Sequence, residues 1–348
     1  MIKKIIALGF VIIFSGVSLF AMEVEMTLPS ISGSYDSGIP AVKKLFEEDA
    51  VAALSRFDGM NKLVTAMSNA TSYAADGATT RNFMGYKMFA VAIGTMGALQ
   101  TGSFDIEDKM NKIEESQDLD FGVNAQAITV SVGANLGFLV EGLYVTGKVG
   151  SFSFNIQDFD INMFSCGLLA QYQLIDPIKT LFVTWKGLQV GTGLIYYNSK
   201  ISFTTSAASI STPVSVNGSS ASLVYDPDLD SKFETKGIKI PIDVMTGVRL
   251  AVVDFSFGLG CDINVWSNSD LTYKADGETR LEGLAITTTP GRAKVSGGTT
   301  GKSADAFKFK TMTGIGLSLG PVKLDVPITY YFGEGHGANV GVTAGIAF

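Results

Sequence analysis

Cysteine and histidine are almost missing from this 348-residue chain: there are two of the first, Cys166 and Cys261, and one of the second, His336. Two cysteines cannot form the disulfide framework that holds small exported domains together. Catalysis by a histidine base in a defined array has only His336 to draw on. Long apolar runs are missing too. Beyond Ala21 nothing supplies the ~18 unbroken apolar residues of a transmembrane helix, so that part of the chain cannot cross a membrane as a helix. Charged residues are scarce, at 17%. The net charge is −7, and without Lys3 and Lys4 it is more negative still, a sign that disfavours nucleic acid as a partner.

The first residues, MIKKIIALGFVIIFSGVSLFA, combine a basic start, an apolar run and small residues up to Ala21. That order predicts a cleaved secretory signal peptide over residues 1–21, with Leu19 blurring the cut. No cysteine adjoins it, which argues against a lipid anchor. The chain as a whole is 46% apolar, and most of its 39 glycines lie beyond residue 21. Without a membrane helix, that apolar material has to be spread over many short strands.

Residues 22–81 read as a helical segment, either a plug or a periplasmic element. Val42, Leu45, Phe46, Ala53, Leu54 and Phe57 recur at helical spacing, Gly59 breaks the pattern, and a second helix carries Met60, Leu63, Val64 and Met67. From residue 82 the period becomes two. Ten strands can be placed, at 83–98, 123–136, 139–154, 160–174, 187–204, 237–252, 254–268, 307–319, 321–332 and 338–348. Their connections are asymmetric. The three long ones, 99–122, 205–236 and 269–306, share one end, and the tightest turns share the other. A sandwich distributes its loops between both ends; a membrane barrel does not. Faces agree: in VKLDVPITYYF, Leu324, Val326, Ile328, Tyr330 and Phe332 oppose Lys323, Asp325, Pro327 and Thr329. The expected fold is all-β, a closed antiparallel transmembrane β-barrel of about ten strands (range about 8 to 14), with the N-terminal helical plug segment inside.

The chain ends NVGVTAGIAF, alternating strictly and finishing on Phe348. With the signal peptide and the strand number, this resembles bacterial outer-membrane β-barrel proteins, in which the barrel assembly machinery recognises a last strand ending on an aromatic residue. The resemblance implies outer-membrane lipid as surroundings and Phe348 as the assembly signal. A lumen entered by an N-terminal segment also resembles, in architecture only, the long-chain fatty acid transporters of the outer membrane. Their Asn-Pro-Ala stretch is replaced here by SNATSYAADGATTRNFMG, and ten strands are fewer than that family uses, so no ligand residue carries over.

Lys239, Asp243, Arg249, Lys308, Lys310, Lys323 and Asp325 fall on polar strand faces and are the expected lumen lining, of mixed sign. Leu45, Phe46, Leu54 and Phe57 are the expected plug contacts. Asp226, Asp228 and Asp230 in DPDLDSKFE alternate in a way that suits a hard cation, but the Gly and distal Glu of an EF-hand loop are missing; no metal or cofactor is assigned. His336 beside Glu334, with Asp158 and Asp160 on another outer loop, resembles the ten-stranded outer-membrane proteases in residue type alone; a hydrolase is the remote alternative and no catalytic residue is assigned. The functional expectation is a monomeric, non-enzymatic barrel for passive or plug-gated passage of a small, possibly apolar, solute. The alternative is a surface-exposed adhesin or structural anchor that uses the long outer loops.

Overall fold

The computed structural model describes residues 23–27, 30–31, 60–77, 83, 85–102, 120–156, 158–206, 209–216, 219–283, 288–333 and 335–348. Two short strands come first, β1 (Glu23–Thr27) and β2 (Ser30–Ile31), then one helix, α1 (Met60–Ala74). The strands β3 (Phe89–Thr101), β4 (Phe121–Asn135), β5 (Leu143–Ile156), β6 (Phe159–Ile175), β7 (Ile178–Lys179) and β8 (Val183–Ser206) come next. After them come β9 (Ile210–Val216), β10 (Ser219–Leu250), β11 (Val253–Glu282), β12 (Thr288–Thr289), β13 (Gly291–Lys302), β14 (Phe307–Leu319), β15 (Val322–Phe332) and β16 (His336–Ala347).

Strand pairing closes on itself. The order β11, β14, β15, β16, β3, β4, β5, β6, β8, β10 is antiparallel at every step, and β10 pairs back onto β11 from Leu250↔Val253 upward. Among the described residues the ring therefore has ten strands, each paired on both sides over most of its length, which satisfies backbone hydrogen bonds without a covering layer. Its burial is inverted relative to a soluble protein. β14 alternates at every residue: Phe309 is 62% exposed, while Lys308 and Lys310 beside it are each 2% exposed. Leu259, Leu168, Val132, Ile315, Val340 and Val342 lie outside; Gln126, Lys148, Ser165, Asp262 and Asn339 are buried inside. A strand of 13 residues tilted as in a barrel rises roughly 30 Å, enough for a bilayer core. Exposed aromatic residues mark both ends of the band: Phe164, Trp266, Phe307 and Phe332 towards one end, and Phe89, Phe138, Phe182 and Phe348 towards the other.

The segments expected as long loops at 205–236 and 269–306 are instead mostly strand. β10 and β11 continue far past the ring as one antiparallel ribbon, flanked by β9 on one side and β13 on the other, with β1 added to β13. The signal was in the sequence but its polarity misled. Along β10, Ala221, Leu223, Tyr225 and Phe233 are buried on one face, while Asp226 and Asp228 alternate on the other, so a half-polar strand reads as a charged loop. The tight turns expected at Val253 and Gly320 fall at Ala251-Val252 and Gly320-Pro321, joining β10 to β11 and β14 to β15, while the one expected at Gly137-Phe138 is the longer stretch 136–142 between β4 and β5. Ala251 has a positive φ of 54° and Gly320 one of 65°, the left-handed geometry that a two-residue hairpin requires.

One junction of the ring is incomplete. β4 carries a bulge where Gly94 and Met96 of β3 face Thr129 and Gln126, so that two residues, Ala127 and Ile128, stand opposite one, Thr95. The bulge bends β4, and its ladder with β5 stops at Thr129↔Gly150, although β4 runs on to Phe121 and β5 to Ile156. A seam opens between them above that point.

Candidate functional site

The interior of the ring and α1 are the site. From Leu63 to Gly77 every described residue except Thr65 is buried, and α1 meets β3, β4, β8, β10, β11 and β16 of the ring and β13 of the flanking ribbon. The sequence of α1 is mostly small and polar (SNATSYA in its second half), so its side chains bond the wall instead of forming an oily stripe.

At its N-terminal end α1 is apolar. Leu63, Val64 and Met67 pack with Ile201 of β8, Phe233 of β10, and Leu271 and Tyr273 of β11. Burial at that level contributes ~1.5–3 kcal/mol per large side chain. Packing is not complete. A cavity of about 160 Å³ remains between Leu63, Val64 and Met67 of α1 and Phe152, Ile161 and Ile201 of the wall, next to the seam at Val123 and Ala125.

One turn further on, hydroxyls and amides take over. Ser269 Oγ donates to Ser68 Oγ at 2.9 Å, and Ser68 Oγ and Thr235 Oγ1 lie 3.3 Å apart. Asn124 Nδ2 of β4 donates to Thr71 Oγ1 at 2.6 Å, Ser72 Oγ donates to Asn264 Oδ1 at 3.1 Å, and Asn69 is bonded twice to Asp305, at 2.9 and 2.8 Å. Tyr73 stacks on Tyr331 with centroids 3.7 Å apart and planes 12° from parallel. Its hydroxyl donates to Gln100 Oε1 at 2.8 Å, and that of Tyr331 donates to Asp76 Oδ2 at 2.8 Å.

The C-terminal end of α1 holds the charges. Its last carbonyls lack helical partners, and α1 has no basic residue in its own last turn. The wall supplies them instead: Lys239 Nζ donates to Ser72 O at 2.6 Å, and Lys148 Nζ to Ala75 O at 2.5 Å and Gly77 O at 3.2 Å. Cations there also oppose the negative end of the helix dipole. Lys239 pairs with Asp76 at 2.7 Å and Asp262 at 3.2 Å, and Lys310 bridges Asp262 at 2.6 Å and Asp243 at 2.8 Å. Charges this deep persist because each has an opposite partner at bonding distance.

A family model described as Lsa36-like matches residues 31–346. The chain belongs to the Lsa36-like family. Among solved structures it is similar to the translocator domain of autotransporter NalP from Neisseria meningitidis, with 12% identity over 82% of this chain and 99% of that one and a TM-score of 0.32. It is similar also to the toluene transporter TbuX of Ralstonia pickettii (7% identity, 84% and 99% covered, TM-score 0.26) and to a FadL homologue of Pseudomonas aeruginosa (9%, 84% and 98%, TM-score 0.23). No curated protein matches the sequence. The chain resembles bacterial outer-membrane β-barrel proteins.

The structure brings Lys239, Asp243, Lys308 and Lys310 into the charged interior around α1, where Lys308 pairs with Asp305 at 2.7 Å. Arg249, Lys323 and Asp325 lie lower, near a second cluster in which Asp254 takes Lys186 and Arg249, each at 2.9 Å, and Lys323 donates to Ser318 Oγ at 3.0 Å. Leu45, Phe46, Leu54 and Phe57 lie outside the described residues. Asp226, Asp228 and Asp230 do not converge: they are spread along β10 and bond Arg280, Ser206 (2.9 Å) and Thr204 (2.7 Å) across three different strand positions. Among the described residues no group of three His, Cys, Asp or Glu side chains is placed to hold a metal ion. His336 bonds Tyr330 Oη through Nδ1 at 2.7 Å, and Asp160 lies four strands away on β6, so the two do not form one array. Phe348 is bonded through its backbone to Phe89 O (3.0 Å) and Met88 N (2.7 Å), tying the two ends of the ring together.

The residues not singled out from sequence are Asp76, Lys148, Asp262, Asp305, Tyr73 and Tyr331. Asp262 had a usable signal, because Asp254, Ser256, Gly258, Gly260, Asp262 and Asn264 share one alternating face. Asp76 had none, since its partner Lys239 is 163 positions away.

Proposed function

We propose that the protein is an outer-membrane β-barrel whose interior is stoppered by α1 and whose β9–β10–β11–β13 sheet stands on the cell surface as an interaction platform. The observation that carries this reading is the pairing of a filled, ion-paired interior with a rigid sheet that outruns the ring by many residues. Short turns and the meeting of Met88 with Phe348 mark the inner end, as in barrels with short periplasmic turns and longer outer connections. At the outer end, Arg280 bonds Asp226 and Glu282 (2.8 Å), and Arg292 bonds Asp276 at 2.6 Å, on the ribbon surface. These give the sheet a fixed pattern of charge to offer a partner.

The test compares the full chain with a trimmed one lacking residues 207–227 and 275–295, each gap closed by a two-residue turn, for binding to soluble proteins and glycans when displayed on cells. Loss of binding with the trimmed barrel still folded is the expected result. Unchanged binding would refute the platform.

A second reading, uptake of a small apolar solute, is favoured by the cavity beside the seam. Its volume of about 160 Å³ is that of an apolar cavity which stays dry and accepts benzene. Purified protein should then take up a monocyclic aromatic probe, and Met67→Trp, which fills the cavity, should abolish uptake; equal uptake by both would remove this reading.

A further inference from the structure

We propose that the chain threads the barrel from outside to inside, so that residues 23–31 sit on the outer surface and α1 is a stopper tied at both ends. This rests on the proposed orientation of the barrel, with the ribbon outside the cell. Residues 23–31 run outward along the ribbon, and from α1 onward the contacts descend in chain order. Glu23–Thr27 pairs with Arg292 to Ser296 on the outer ribbon, and Ser30 and Ile31 pair with Thr289 and Thr288, still further out. Lys294 Nζ adds an ion pair to Glu25 at 3.5 Å. Leu63 is level with Phe233 and Leu271, Ser68 with Thr235 and Ser269, Ser72 with Asn264, and Asp76 with Lys239. Below them Phe83 and Tyr86 pack with Ala90, Ala92 and Tyr144, and Met88 N meets Phe348 O at the inner rim, where β3 begins.

The chain thus passes through the interior once, and each end of α1 leads to a docked strand. Withdrawal of α1 towards the inner side would break the Tyr73–Tyr331 stack and strip Glu23–Thr27 and Ser30–Ile31 from the ribbon strands they pair with. Withdrawal outward is opposed by the covalent link to β3. The stopper cannot leave as a unit, and the ring must close around a segment that already lies within it. A further consequence is that the surface platform has a fifth strand, β1, at its edge, contributed by the segment that precedes the stopper.

The experiment uses single cysteines in the full chain with Cys166 and Cys261 replaced by alanine, and a membrane-impermeant maleimide applied to intact cells. Glu278→Cys reports the ribbon, Leu139→Cys the inner turn, and Glu25→Cys the threaded segment; all three residues are exposed. The proposal expects Glu25→Cys to label as fully as Glu278→Cys, while Leu139→Cys labels only after permeabilisation. Loss of labelling at Glu25→Cys with Glu278→Cys still labelled would overturn threading and leave the orientation intact. Loss at Glu278→Cys would overturn the orientation itself, and the proposal with it. An epitope placed between Met22 and Glu23 gives a second readout: antibody binding to intact cells supports threading, and binding only after permeabilisation refutes it.

Discussion

Lys239 is the residue on which the interior turns. It is fully buried, caps the end of α1 through Ser72 O, and faces two carboxylates, Asp76 and Asp262. Lys239→Met keeps the length of the side chain but takes the cation from Asp76 and leaves Asp262 to Lys310 in a buried site. The loss expected from breaking one partner of a buried ion pair is ~3–5 kcal/mol. It should appear as a lower urea midpoint for the conversion of the compact, heat-modifiable band to the unfolded one on a gel. An unchanged midpoint would mean that water reaches the site. Gly122 is the steric counterpart. A Cβ there would fall inside contact distance of the Ala66 backbone, so Gly122→Ala must push α1 off β4 and should cost ~1–3 kcal/mol in the same assay. Neither role was legible locally. Lys239 was picked out by its strand face, but the carboxylate at Asp76 and the close approach at Gly122 are made by tertiary contact with a helix far away in the chain.

At the scale of elements, alternation carried most of the fold. The ring strands are those that period two places, because an apolar face points outward and a polar face points to the interior, and each residue reports its face directly. The ribbon was missed for the opposite reason. Beyond the ring the other face of β10 carries charge, so Asp226, Asp228 and Asp230 look like a loop. The ion pairs of Asp226 and Asp276 make the ribbon sensitive to acid. The Ser209 hydroxyl and the Arg280 guanidinium hold the Asp226 carboxyl below its ordinary value, and Arg292 and Lys274 do the same for Asp276. A carboxyl depressed on folding adds stability that is complete above its unfolded value and is lost as pH falls through the folded one. Hydrogen exchange of β9 and the upper parts of β10 and β11, expressed as protection factors, should therefore weaken below the ordinary carboxylate range while β14 and β15 keep their protection. High salt should weaken the ribbon in the same way, because these pairs are exposed and screened. Equal loss in ribbon and ring would show that the ribbon pairs are not the sensitive element.

At the scale of the whole molecule, two features explain each other: a wall of polar inward residues that does not fill its own interior, and a helix too polar to be buried anywhere else. Ser68, Asn69, Thr71, Ser72 and Asp76 on one side meet Thr235, Asn124, Asn264 and Lys239 on the other. Apolar packing lies at the outer end, around Leu63 and Phe233, and at the inner end, around Phe83 and Tyr86. On the proposed reading such an interior is a stoppered lumen, and its consequence is electrical. The most direct test is conductance of the folded, full-length protein in a planar bilayer. A stopper held by the Lys239–Asp76 pair and the Tyr73–Tyr331 stack predicts a silent bilayer at moderate voltage, with steps appearing only when α1 is loosened by Tyr73→Ala together with Asp76→Ala. Steady ohmic conductance from the unmodified protein would contradict the account.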